Sequence, residues 1–140
     1  MVEESCALGL DLGTTFSCIG VYRNGEVEII PNRNGDRVIP SIVTIIDKDT
    51  ILKGEETLEH RVQNYDSSIY AIKRFIGRDY NDKEVQEDIK KENFPFTIFG
   101  DPKTKNPIVE VTKNNEKMHF TLEEISAFVI RKLADNAENS

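Results

Sequence analysis

Apolar residues fall along this chain in short runs broken by glycine, asparagine and aspartate, and residues 7 to 30 are the most regular stretch. Ala7–Leu10 and Phe16–Tyr22 read as strands that are apolar on both faces, and Val27–Ile30 as a third. Asn24-Gly25 between the last two carries the type I′ hairpin signal, since both central residues of that turn need positive φ. Strands without a polar face predict a sheet covered on both sides. After the turn-rich stretch Pro31–Asp36, residues Arg37–Ser41 lead into a strand over Ile42–Ile46, and Ile51–Lys53 follows the Asp47-Lys48-Asp49 turn.

The second half is more polar. Leu58 and Val62, one helical turn apart, predict a helix over Glu55–Asn64 whose remaining surface, His60 included, is solvated. Tyr70–Arg78 is a short apolar segment with Lys73 and Arg74 at its centre and Gly77 as its stop. Asp82–Lys90 reads as a polar helix held by Val85 and Ile89. Phe94–Phe99, Ile108–Val111 and Lys117–Phe120 predict an antiparallel sheet whose aromatic residues Phe94, Phe96 and Phe120 serve the core rather than a stacking platform. Thr121-Leu122-Glu123-Glu124 is a capping box opening a helix with Leu122, Ile125, Val129 and Leu133 on one face. That helix meets neither glycine nor proline before Ser140, so the pattern predicts a piece of a longer protein.

Composition narrows the function classes. A chain of 140 residues with a formal charge of -7 suits one domain and argues against a partner bound through its phosphate backbone, which excludes nucleic acid as the main ligand. Any phosphate site must therefore rest on backbone amides, a metal and a few local cations, of which Lys73, Arg74 and Arg78 are the nearest supply. Cys6 and Cys18 form no disulfide framework and no zinc spacing. Cys18, alternating with Phe16 and Gly20, reads as a small core residue. His60 and His119 lack sequence partners for catalysis. No secretory leader and no run long enough to span a bilayer is present, which predicts a cytoplasmic protein with no membrane contact.

The chemistry concentrates in Leu8–Cys18. Gly13 falls where the first hairpin must turn, and glycine there leaves backbone amides unshielded. The N–H groups of Gly13, Thr14 and Thr15, with the threonine hydroxyls, can face one concavity and donate to phosphate oxygens. Asp11 at the strand end is placed to hold Mg²⁺ through its waters, because magnesium takes only one or two protein carboxylates. An ordinary hairpin with a polar tip has the same spacing. Likewise, Lys73 amid apolar neighbours fits a side chain that reaches water along its stem.

Taken in order, Gly9–Cys18, Val27–Ile30, Pro40-Ser41, Lys73–Arg78 and Glu123–Ser126 make the chain resemble the N-terminal part of the seventy-kilodalton heat-shock chaperones over essentially its whole length. The resemblance implies an α/β, actin-like (ribonuclease-H-like) ATPase fold, present in part: the start of the first-lobe sheet with its phosphate hairpin over residues 1–40, a small upper subdomain over 41–120, and a helix returning to the first lobe over 121–140. It implies ATP or ADP with Mg²⁺ as ligand, Gly13, Thr14, Thr15, Phe16 and Lys73 as the nucleotide-binding residues, and Asp11 near the metal. Lys73 and Asp11 are then the catalytic residues, with Lys73 approaching the γ-phosphate and helping to orient the attacking water.

It further implies unfolded polypeptide clients, J-domain cochaperones and nucleotide exchange factors as partners of the full-length protein, with the isolated chain inactive. Phe16 stands where many members carry tyrosine. Gly54–Asp66 fits the family pattern loosely, so no exchange-factor contacts are transferred to it. A sugar kinase or other actin-like relative shares the Asp-x-Gly-Thr-Thr hairpin, but Lys73–Arg78 and the order of later elements argue against it. A non-catalytic cochaperone-binding module is the third reading, and it requires a fold that is stable without nucleotide.

Overall fold

The first hairpin lies in the four-stranded sheet of a mixed α/β fold, seen in a computed structural model that describes residues 7–139. Strand β1 (Ala7–Leu12) pairs antiparallel with β2 (Phe16–Arg23), and β2 pairs with β3 (Glu26–Ile29) at one end and with the two-residue β4 (Ile39–Pro40) at the other. Asn24 and Gly25 both hold positive φ, 54° and 79°, as the type I′ signal requires. Cys6 lies outside the described residues.

Two three-stranded antiparallel sheets follow. One orders β6 (Ile51–Lys53), β5 (Val43–Ile45) and β7 (Ser68–Ile69), and the other β10 (Glu116–Thr121), β9 (Pro107–Lys113) and β8 (Thr97–Gly100). Helix α1 (Lys83–Glu92) starts at Asp82, whose carboxylate accepts from the Glu84 amide at 2.9 Å, and stops at Asn93 in the left-handed conformation. Helix α2 (Leu122–Glu138) touches all three sheets. Its buried face, Leu122, Ile125, Val129 and Leu133, joins Ile19, Val43, Ile45, Phe75, Val109 and their neighbours in one core. Phe96 is buried and Phe94 and Phe120 pack against that core, as their alternation predicts.

The capping box is present: Thr121 Oγ1 accepts from the Glu124 amide at 3.0 Å and Glu124 Oε1 accepts from the Thr121 amide at 3.1 Å. Thr121→Ala should lower the unfolding free energy by about 1 kcal/mol, read as a shift of the urea midpoint at constant slope.

Four expectations are corrected. Residues 54–64 form no α-helix: Gly54–Thr57 is one turn of 3-10 helix and the rest is a string of turns. The Leu58 amide donates to the Glu55 carbonyl at 3.3 Å and the His60 amide to the Thr57 carbonyl at 3.1 Å, the tighter three-residue pairing, while Thr57 Oγ1 takes the Gly54 carbonyl at 2.7 Å. Leu58 and Val62, the two apolar residues of the expected stripe, are exposed, Val62 to 80%. Nor is the first sheet covered on both sides by the described residues. Only the face carrying Ile19 and Val21 reaches α2; on the other face Tyr22 is 53% and Val27 68% exposed, Leu8 is 60% exposed even on the α2 side, and Cys18 is half-buried rather than in the core. His119 does find a partner, Glu110 Oε2 at 2.8 Å, although that pair is a solvent-side link between β10 and β9.

The Gly54–Thr57 turn is fastened to α2 by charge. Lys132 Nζ lies 3.1 Å from Glu56 Oε1 and 3.5 Å from Glu55 Oε1. Partial burial pushes the Glu56 carboxyl up, but the Lys53 amide and the Lys132 ammonium outweigh it and hold it below its ordinary 4.5. For Lys132, burial pulls downward and the two carboxylates outweigh it, leaving it above 10.5. A depressed acid contributes stability above its unfolded pKa and loses it as the pH falls through the folded value. A raised base contributes below its unfolded pKa and loses it as the pH rises through the folded value. The urea midpoint should therefore decline from this pair on two flanks, below pH 4.5 through Glu56 and above pH 10.5 through Lys132. Glu56→Gln should flatten the acid flank.

Candidate functional site

Gly13, Thr14 and Thr15 form the tip between β1 and β2, and the segment after β4 fixes how that tip faces. The Ser41 amide donates to the Thr15 carbonyl at 2.9 Å, and Ser41 Oγ donates to the Gly13 carbonyl at 2.9 Å. Since the single hydroxyl proton of Ser41 is used on Gly13, the contact between Ser17 Oγ and Ser41 Oγ at 2.7 Å must be donated by Ser17. Two carbonyls of the tip are thus drawn toward Ser41. In a planar trans peptide the N–H opposes the preceding carbonyl, so the amides of Thr14 and Phe16 face away from Ser41. No N–H of Gly13, Thr14 or Thr15 donates to a protein acceptor among the described residues.

Glycine at 13 is required by close approach rather than by positive φ. A Cβ there would stand 2.2 Å from the Phe16 carbonyl oxygen, so the tip closes on itself only where no side chain intervenes.

Lys73 reaches the tip from the other side. Ala71 takes φ 56°, which costs an L-residue about 1 kcal/mol, and this reverses the chain just before the short 3-10 helix Lys73–Phe75. Ile72 and Phe75 are buried and Phe75 meets Phe94 edge-on at 6.0 Å, so the intervening Lys73 is turned outward. The three candidate cations are now distinguished. Arg74 is paired with Glu92 and lies over the Phe75 ring, and Arg78 is paired with Asp82 at 3.4 Å and Glu84 at 3.1 Å. The Lys73 ammonium has no side-chain partner among the described residues.

Gly13, Thr14 and Lys73 line one crevice with Leu12, Ser41, Ala71, Ile72 and the α2 residues Ile125, Ser126 and Val129. Its volume is about 20 Å³, enough for roughly one water and far below the few hundred Å³ of a small-molecule pocket. A nucleotide would lie against the crevice rather than inside it. Thr15 and Phe16 are exposed beside it and are not part of its lining, and neither is Asp11. Asp11 sits opposite Cys18 in the register and shares the open sheet face with Ala7, Gly9 and Gly20.

Among the described residues no group of three or more metal-ligating side chains gathers, so Asp11 offers a metal one carboxylate. That donor set fits a hydrated magnesium ion and suits neither zinc nor calcium. A larger concavity of about 670 Å³ runs between Leu8, Leu10, Ile29 and the end of α2, but its one cation, Arg23, is paired with Glu28 at 3.2 Å and its remaining charged residue, Glu138, would repel phosphate.

Ser17, Ser41 and Ser126 were legible in the sequence only as members of the matching stretches, and Ala71 only as part of the apolar segment Tyr70–Arg78; none was assigned a role. The available signal was the lone serine in the apolar strand Phe16–Tyr22, at a position whose strand neighbours on the same face, Ile19 and Val21, are buried.

Comparison with known proteins follows the same residues. The family model described as "Hsp70 protein" matches residues 7–140. A "Heat shock 70 kDa protein" of Trichophyton rubrum is 41% identical over 132 residues, covering 94% of this chain and 19% of the relative. "Heat shock 70 kDa protein 2" of Paracoccidioides lutzii is 38% identical over 133 residues, covering 95% and 20%, and a "Heat shock 70 kDa protein" of Emericella nidulans is 39% identical over 132, covering 94% and 20%. The chain spans about a fifth of the length of these curated relatives.

Proposed function

This chain belongs to the Hsp70 family, and from that membership and the geometry of its first hairpin we propose that it supplies the phosphate-facing part of the nucleotide site of an ATP-driven protein-folding chaperone. The α/β fold is the N-terminal part of the family's actin-like ATPase fold. One observation carries the reading: Gly13 and Thr14, whose amides are free among the described residues, and Lys73, whose ammonium is unpaired among them, line the same crevice.

The roles follow from charge and geometry. The amides and hydroxyls of Gly13, Thr14 and Thr15 and the amide of Phe16 bind the phosphate end of ATP or ADP. Lys73 lies against the transferring γ-phosphate, offsets the charge spreading over its oxygens and helps to orient the attacking water. Asp11 would hold Mg²⁺ through coordinated water, and the ion would supply charge neutralisation on the phosphate oxygens. Phe16 in place of tyrosine removes a hydroxyl from the tip but keeps the amide. Unfolded polypeptides, J-domain cochaperones and exchange factors are the partners this reading implies for the longer protein, in the cytoplasm. Among the described residues no helix is long and apolar enough to cross a membrane.

The test is ATP turnover by the longer protein with and without an unfolded peptide. Stimulation by peptide and indifference to sugars is the expected result. Stimulation by a sugar, with phosphate transferred to it, would assign the hairpin to a kinase instead.

A further inference from the structure

We propose that Lys132 is a positioning residue for the phosphate turn, clamping the Gly54–Thr57 turn onto α2 and through it fixing β4 and the Ser41 bond to Gly13. The role of the turn rests on the functional reading above; the clamp rests on contacts alone.

Those contacts form one path. Lys132 lies on α2 and is 18% exposed at its side chain; it holds Glu55 and Glu56 together, while Asn136, one helical turn on, donates to Glu55 Oε1 at 3.2 Å. Under the charges, Gly54 is buried between two side chains. A Cβ on it would meet Ile39 Cδ1 at 2.8 Å and Lys132 Cγ at 3.3 Å, so the lysine stem, the glycine and Ile39 stack without spare room. Ile39 belongs to β4 and pairs in register with Ser17, and Pro40 with Phe16. Ser41, next in the chain, makes the two bonds that hold the tip. Helix α2 also lines the crevice at Val129, three residues before Lys132 and so on its side of the helix. One helix thereby sets both the wall of the crevice and the height of the turn.

The clamp depends on the lysine charge. Two carboxylates face one ammonium, and Glu55 Oε2 is buried with no hydrogen-bond partner among the described residues. Without Lys132, Glu55 and Glu56 would repel each other beside the glycine they should hold in place. Arginine keeps the charge and has the length to reach both.

The experiment uses the ¹⁵N-labelled chain and needs no nucleotide. Lys132→Met, made alone and with Glu55→Gln so that no unpaired buried carboxylate unfolds the protein, should move the amide resonances of Gly13, Thr14 and Thr15. It should speed exchange of the Ser41 amide roughly tenfold beyond the change in global stability, the size of an ordinary coupling between neighbouring networks. Lys132→Arg should restore both readings. Lys113→Met, which cuts a different tie to Asn64 and Asp66 at 2.9 and 3.6 Å, should leave both in place.

The proposal is overturned if the folded double variant keeps the wild-type tip resonances and Ser41 exchange, or if Lys113→Met disturbs them equally. Failure of nucleotide to bind the hairpin in the longer protein would instead remove the functional reading and leave the clamp intact.

Discussion

Lys73→Ala should lower the rate of ATP hydrolysis by the longer protein about 100- to 1000-fold, the usual cost of removing one preorganised charge from a developing transition state. The loss should fall on kcat, with Mg-ADP affinity close to wild type, because a group acting at the γ-phosphate has little to hold once that phosphate has gone. Stability should be unchanged. The Lys73 ammonium is exposed and has no partner among the described residues, so its removal orphans nothing. Arg74→Ala is the contrasting variant, since it strips Glu92 of its partner and uncovers the Phe75 ring. It should cost stability while leaving kcat within a few-fold of wild type. Single-turnover hydrolysis beside a urea titration separates the two, and a Lys73 variant that turns over normally would remove this residue from the chemistry.

Gly13→Ala is expected to be the most damaging single methyl in the chain. Its Cβ would stand 2.2 Å from the Phe16 carbonyl oxygen, and the obstacle is backbone, which cannot swing aside as a side-chain end can. The tip must open, and opening it pulls the Gly13 carbonyl from Ser41 and strains the Ser41 bond to Thr15. A loss of about 2 to 4 kcal/mol follows, a large share of the stability of a small domain. Gly9→Ala on the same hairpin is the control. Nothing lies within 4 Å of a Cβ there, and its φ lies outside the left-handed range, so the change should be neutral or slightly stabilising. Equal midpoints for the two variants in urea would mean that the tip does not close as described. In the longer protein, Gly13→Ala should also weaken Mg-ADP binding, because the amides would no longer converge.

What could be read from the chain was local. Asn24-Gly25, Thr121 with Glu124, and Asp82 before α1 each state their structure within four residues, and each takes the conformation its chemistry demands. The polar tip at residues 13–15 was legible for the same reason, since glycine and consecutive hydroxyls mark a turn whatever surrounds it. The pairings that fix the tip were not. Ser17 meets Ser41 across 24 residues, Lys132 meets Glu56 across 76, and β4 and β7 are two-residue strands defined only by the partners that receive them. Residues 55–64 misled because Leu58 and Val62 have helical spacing, while the Leu58 and His60 amides bond three residues back, Thr57 Oγ1 takes the Gly54 carbonyl, and the two apolar side chains face water. Lys73 shows the division most clearly. Its neighbours Arg74 and Arg78 have the same charge and similar spacing, so residue chemistry alone did not separate the three; the family resemblance named Lys73, and the ion pairs of the two arginines in the folded chain leave the lysine available.

On the proposed reading this chain holds the phosphate-facing part of a nucleotide site, with a crevice of about 20 Å³ that cannot retain the ligand unaided. Calorimetric titration of Mg-ADP into the 140-residue chain, with an Asp11→Asn, Lys73→Ala double variant alongside, tests it most directly. A sample whose amide spectrum shows it folded should give no saturable heat. Micromolar binding that disappears in the double variant would contradict it, by showing that these residues complete the pocket without the rest of the longer protein.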